Sequence, residues 1–146
     1  MKKIVIFAVV MVGMISFTSC SKDDGPDVQK GKTAKFTLSA PGLTSEDIVA
    51  FVFTGSMNGQ VSGTSWKING ITQDNQGVIQ IKNELLIGNK TVIVETTKPL
   101  DNIIVTFGGS SHNTPYTIKL RAEINGKIEN DISDIVNQTY SKSLNY

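Results

Sequence analysis

The chain has 146 residues, 14 of them basic and 13 acidic, with a formal charge of +1, one cysteine and one histidine. That balance leaves no electrostatic footprint for nucleic acid, which calls for a clustered basic face. A lone cysteine and a lone histidine exclude a disulfide framework and the usual zinc ligand sets, and the length suits a single domain with one core.

Lys2 and Lys3 precede an apolar run from Ile4 to Ile15 broken only by Gly13, and Ser16, Thr18 and Ser19 then lead to Cys20. A charged start, a short apolar core and a small-residue end predict a secretory signal peptide over residues 1–19. The run is too short to span a membrane, which takes about 20 apolar residues. Phe17-Thr18-Ser19-Cys20 resembles the lipobox of bacterial lipoproteins, with Phe17 standing where that family usually has leucine. The resemblance implies cleavage before Cys20 and lipidation of its sulfur and new amino group, so Cys20 is neither a nucleophile nor a disulfide partner. Several acyl chains, at about 0.8 kcal/mol per buried methylene, anchor a protein durably where one does not. Ser21-Lys22-Asp23-Asp24 resembles the surface-export signal of lipoproteins from the Bacteroidota. It implies an outer-membrane lipoprotein exposed at the cell surface, with a periplasm-facing one as the alternative.

The signal holds two of the 14 basic residues and none of the acidic ones, so the 127 residues that follow it carry a formal charge of −1. Residues 20–32 are rich in Asp, Lys and Gly with little apolar content and read as a disordered tether. Residues 33–146 form the predicted domain. Lys35 to Ser39 alternates, with Phe36 and Leu38 inward, and Ile48 to Thr54 is apolar on both faces, as in a central strand. Thr44-Ser45-Glu46-Asp47 before it has the composition of a helical cap. Ser65 to Ile68 and Ile71 to Gln73 flank Asn69-Gly70. Val78 to Lys82, Thr91 to Thr97 and Asn102 to Phe107 follow as further strands, separated by Gly88-Asn89 and by Pro99 with Asp101.

Tyr116 to Ile124 alternates strictly, with Thr117, Lys119, Arg121 and Glu123 on the polar face. Asn125-Gly126 after it accepts positive φ at both positions of a type I′ turn and predicts a hairpin. The spacing of Ile132, Ile135 and Val136 predicts a short helix or a loop over residues 131–138, and Tyr140 to Tyr146 returns as an edge strand. Short strands with a turn signal every 8–12 residues predict an all-β fold, a single antiparallel β-sandwich. Its strand pattern resembles immunoglobulin-like domains, without their cysteine pair. A calycin-type β-barrel is the alternative, although Gly63-Thr64-Ser65-Trp66 matches that family's Gly-x-Trp signature poorly.

The search for chemistry is short. His112, in Gly108-Gly109-Ser110-Ser111-His112, has serines beside it but no carboxylate in its own loop, as a Ser–His–Asp triad would need. Glu129, Asn130, Asp131 and Asp134 are the densest oxygen cluster, yet their spacing does not fit an EF-hand loop. Glu84, Glu95 and Glu123 carry no sign of the burial that tunes a glycosidase acid. The reading is therefore non-catalytic, with no metal and no cofactor. The chain reads as a lipid-anchored envelope module that binds glycan or another envelope protein. Polar loops beside aromatic residues make Asn58, Trp66, His112 and Tyr116 the candidate contact residues; the other role for Trp66 is a core position. A structural subunit or anchor of a surface fibre, resembling fimbrial lipoproteins, is the second reading. A ligand-carrying or inhibitor barrel is the third.

Overall fold

The structure, a computed structural model, describes residues 31–146. The expected signal peptide, Cys20 and nearly all of the expected 20–32 tether lie outside the described residues. The elements in chain order are β1 (Ala34–Ser39), β2 (Ile48–Met57), β3 (Gln60–Val61), β4 (Trp66–Ile68), β5 (Ile71–Gln73), β6 (Val78–Lys82), the helical turn α1 (Asn83–Leu86), β7 (Thr91–Thr96), β8 (Asn102–Ser110), β9 (Tyr116–Ile124), β10 (Lys127–Val136) and β11 (Thr139–Asn145).

Turn chemistry sets the hairpins. At Asn58-Gly59, Asn69-Gly70 and Asn125-Gly126 both residues have positive φ, between 48° and 81°, the geometry that matches the right-handed twist of the flanking strands. The strands form two antiparallel sheets. One is six-stranded, in the order β10-β9-β1-β7-β4-β5; the other runs β11-β8-β2, with β3 and β6 both paired to the far side of β2. β2 is thus a central strand, as its two apolar faces predict. The sheets are not closed on each other, so the fold is a sandwich and the barrel alternative is overturned.

The core lies between the sheets and follows the period of two. Phe36 and Leu38 from β1, Phe51 and Phe53 from β2, Val105 and Phe107 from β8 and Ile118 and Leu120 from β9 are all buried. Phe36 packs on Phe53 at 5.1 Å between ring centroids, and Phe53 on Trp66 at 5.7 Å. Tilted rings at this separation place a positive edge against a negative face.

Two local expectations are corrected. Residues 131–138 are strand rather than helix or loop through Val136, because Ile132 and Val136 face the core two pleats apart while Ile135, 69% exposed, faces outward. β9 supplies the backbone partners, with Asp131 opposite Arg121 and Ile135 opposite Thr117. Thr44 to Asp47 makes a turn without a helix, and α1 arises elsewhere. Its first residue, Asn83, accepts the Val49 N–H at 2.8 Å and donates to the Asp47 carbonyl, so one side chain stands in for a neighbouring strand where β6 ends.

Among the described residues, the paired backbone begins at Lys32. Its N–H donates to the Leu100 carbonyl at 2.6 Å and its carbonyl accepts the Leu100 N–H at 3.0 Å. The chain therefore joins the sandwich beside Pro99 and Leu100, at the end that also carries Tyr146 and Asn125.

Candidate functional site

At the opposite end of β2, three connections meet: Pro41–Asp47 before β2, Ser111–Pro115 before β9, and the corner Asn137-Gln138 between β10 and β11. Asp47 holds the first two together. It is 3% exposed. Its Oδ2 accepts the Thr44 N–H and the Thr44 hydroxyl, both at 2.8 Å, and its Oδ1 accepts the His112 N–H at 2.8 Å, from 65 residues away. Asn113 Nδ2 donates to Glu46 Oε2 at 3.2 Å across the same two loops. Ser111 binds the corner through its N–H to the Gln138 carbonyl at 2.9 Å, while its hydroxyl accepts the Gln138 N–H at 2.8 Å. Loops normally move more than the strands they join, and these cross-links turn the end of the sandwich into a fixed platform. Glu46, His112 and Asn113 are exposed on it.

Burial alone would raise the Asp47 pKa, but the hydrogen bonds from His112 and Thr44 outweigh it and hold the carboxyl below its ordinary value. Hydrogen bonds to the charged form have that sign. The ionised carboxylate is thus a structural clamp.

The candidate residues divide between the two ends. His112 and Tyr116 belong to the platform, whereas Asn58 and Trp66 lie toward the other end of β2, a strand of ten residues spanning roughly 30 Å. Trp66 is fully buried and its Nε1 donates to the Gly77 carbonyl at 2.9 Å. Tyr116 is 2% exposed and its hydroxyl donates to the Ile48 carbonyl at 2.6 Å. Neither ring meets solvent: Trp66 takes the core position that was its other role, and Tyr116 is corrected from a contact residue to a core residue. Each has found the internal polar partner that lets an amphipathic ring be buried. Gly109 makes room for the Tyr116 contact, since a Cβ there would strike both the Tyr116 hydroxyl and the Ile48 carbonyl. Asn58 is exposed in the β2–β3 turn, with its N–H donating to Asp101 Oδ2.

Sequence reasoning missed the platform because Asp47 and His112 are far apart along the chain. The only early signal was Thr44 followed three residues later by an acid. The fold does bring a carboxylate to the His112 loop, yet Asp47 meets the histidine backbone rather than its ring, and the Ser111 hydroxyl faces Gln138. No nucleophile–base–acid relay is assembled by these contacts.

Beside the platform, a groove of about 500 Å³ runs between the start of β2 and the β6–α1 junction, with Ile48, Ala50, Lys82 and Glu84 among its lining residues. Among the described residues, no three His, Cys, Asp or Glu side chains converge as a metal site would require. The Glu129–Asp134 cluster is dispersed by the bulge between Ile128 and Asn130. Asn130 accepts the Tyr146 hydroxyl at 2.7 Å, Asp131 points to Arg121 at 3.8 Å, and Asp134 accepts the Tyr140 hydroxyl beside Lys142.

All three tyrosines of the chain are set in this way. Burial pushes each up to about 12, reinforced by the charge of Asp47 at Tyr116, by the hydrogen bond and charge of Asp134 at Tyr140, and by the charge of Glu129 at Tyr146. The unfolded chain ionises near 10, so the neutral tyrosines favour the folded state below pH 10, and that contribution is lost as pH rises toward 12. Absorbance at 295 nm should therefore show no tyrosinate at pH 10, with ionisation and unfolding coinciding above it. Half-ionisation at pH 10 in the folded protein would contradict the burial of these rings.

No family model matches the chain, and no curated protein matches it. Three solved structures are similar in fold. The calcium-bound form of a protein from Parabacteroides distasonis, determined by NMR, matches over 85% of this chain and 98% of that one, at 19% identity and a TM-score of 0.62. A crystal structure of a domain of unknown function, DUF4425, from Bacteroides vulgatus matches over 82% and 96%, at 16% identity and a TM-score of 0.59. A DUF4425 family protein from Bacteroides ovatus matches over 80% and 94%, at 14% identity and a TM-score of 0.55. Likeness at this level of identity shows a shared fold: the chain is built as a β-sandwich similar to these three proteins.

Proposed function

We propose that this chain is a non-catalytic, lipid-anchored binding module of the cell envelope. Cys20 holds it in the outer membrane with its domain at the cell surface, and the Asp47 platform is its recognition end. The observation that carries the reading is the polarity of the fold. The backbone joins the sandwich at Lys32, beside Leu100, while the cross-linked loops bearing His112 and Asn113 lie at the other end of β2. A chain anchored at Cys20 would thus present the platform away from the membrane. Fixed loops on a rigid scaffold lose little entropy on binding.

A protein partner fits better than a glycan. The large hydrophobic residues exposed among the described residues are all aliphatic, Ile48 at the platform edge among them, so the aromatic stacking surface expected for sugars is absent from that set. Calcium, which the Parabacteroides distasonis protein binds, has no equivalent support among the described residues, where no three His, Cys, Asp or Glu side chains converge.

The test uses the full chain carrying Asn113→Cys in intact cells, probed with a membrane-impermeant maleimide. Surface display predicts labelling of Asn113→Cys on intact cells, and loss of acylation and of membrane retention when Cys20 is replaced by alanine. Labelling only after lysis would overturn surface display, and membrane retention of the Cys20→Ala chain would overturn the anchor.

A further inference from the structure

The outer face of the six-stranded sheet carries a second surface, independent of the platform. One row of directly opposed residues crosses all six strands: Ile128 on β10, Glu123 on β9, Lys35 on β1, Glu95 on β7, Lys67 on β4 and Thr72 on β5. The four central residues alternate strictly in sign. Lys35, Lys67 and Glu95 form no ion pair within 4.0 Å among the described residues, and Glu123 is paired only with its neighbour Arg121. Between the four side chains the face is hollowed by about 300 Å³.

Alternation of this kind helps fix strand register, which accounts for each pair separately. It does not account for the symmetry of the row. The midpoint between Lys35 and Glu95 is also the midpoint of the sheet, with three strands on either side. A two-fold axis lying between two such faces, parallel to the strands and directly over that point, sets β1 over β7, β9 over β4 and β10 over β5. It sets Lys35 against the Glu95 of a second copy, Glu123 against Lys67 and Ile128 against Thr72. Every charge of the row meets its opposite. A closed two-fold dimer needs one patch that complements itself, and an alternating row of even number does so.

We propose that this face associates with a second copy of the chain, sheet against sheet, the charged side chains of each copy filling the hollow of the other. At about 4.8 Å between strands and 3.4 Å per residue, the sheet offers roughly 600 Å² per copy. The total of roughly 1,200 Å² is at the lower bound for a specific interface. The association is therefore weak and salt-sensitive, as befits exposed charges.

The test co-expresses two differently tagged full chains and measures their co-purification from a mild detergent extract at low salt. An acidic chain carries Lys35→Glu and Lys67→Glu; a basic chain carries Glu95→Lys and Glu123→Lys. Wild-type copies should co-purify, each reversed chain should lose at least ten-fold in co-purification with itself, and the acidic chain should recover the basic one. That recovery also shows that the variants fold. Raising salt to 1 M should abolish the wild-type and mixed associations alike. Wild-type copies that fail to co-purify at low salt, reversed chains that self-associate as well as wild type, or a mixture that is not rescued would each overturn the proposal.

Discussion

Replacing Trp66 with alanine should cost about 3–5 kcal/mol of folding free energy, the range for removing a fully buried large aromatic. The ring is completely buried, in contact with Phe53 and packed close to Gly55. The hole left behind cannot collapse easily, since both sheets contribute to its walls. Trp66→Phe should cost much less. It forfeits the indole hydrogen bond, but the Gly77 carbonyl that receives it also accepts the Gly55 N–H at 3.0 Å and stays paired. Urea unfolding of the two variants measures the difference. Against a total stability of about 5–15 kcal/mol, the alanine variant approaches the limit of folding at all. The wild-type chain has one tryptophan, so its emission should be blue-shifted and resistant to acrylamide until it unfolds. A loss below about 1 kcal/mol in Trp66→Ala, or ready quenching of the native protein, would return Trp66 to the surface.

Asp47→Ala should be the second large effect, about 1–3 kcal/mol, because it takes a buried acceptor away from three donors in part-buried hydrogen bonds at once. The Thr44 N–H, the Thr44 hydroxyl and the His112 N–H all lose their acceptor. Asp47→Asn keeps one acceptor oxygen and should recover part of the loss. The pH dependence has a definite sign. The folded-state pKa of Asp47 lies below the ordinary value of 3.8, so its contribution is complete above that value and is lost as pH falls through the folded-state pKa. Below that range the wild-type and alanine chains should converge in stability. Amide exchange should localise the change, with Asp47→Ala exposing residues 44–47 and 111–113 while β1 and β9 stay protected. Uniform exposure of the whole sandwich would deny the carboxylate its specific role at the platform.

The two residues were unequally legible. Trp66 stood out in the sequence as the single tryptophan beside a polar, glycine-rich segment, and that setting suggested a binding loop. Burial was decided by β4 pairing with β7, Trp66 opposite Thr96, which turns the ring into the space between the sheets. Asp47 drew notice only as the end of a helical cap. Its function depends on His112, which comes to it because β2 and β8 are neighbours in register, Ile48 opposite Ser110.

What could be read without coordinates was local chemistry. Alternation of apolar and polar residues in β1 and β9 identified strands, because successive side chains point to opposite faces. Asn-Gly pairs identified the β4–β5 and β9–β10 hairpins, because few other dipeptides accept two positive φ values. The all-β class and the central place of β2 followed from these patterns. The open sandwich did not, since the same strands could have closed into a barrel. Neither did the extended course of residues 131–136, where β9 supplied the backbone partners and drew a helically spaced segment into the sheet. The Asp47 platform and the charge row from Glu123 to Lys67 lay further still beyond reach. Both depend on which strands become neighbours and in what register, and many long-range contacts must agree before either is set.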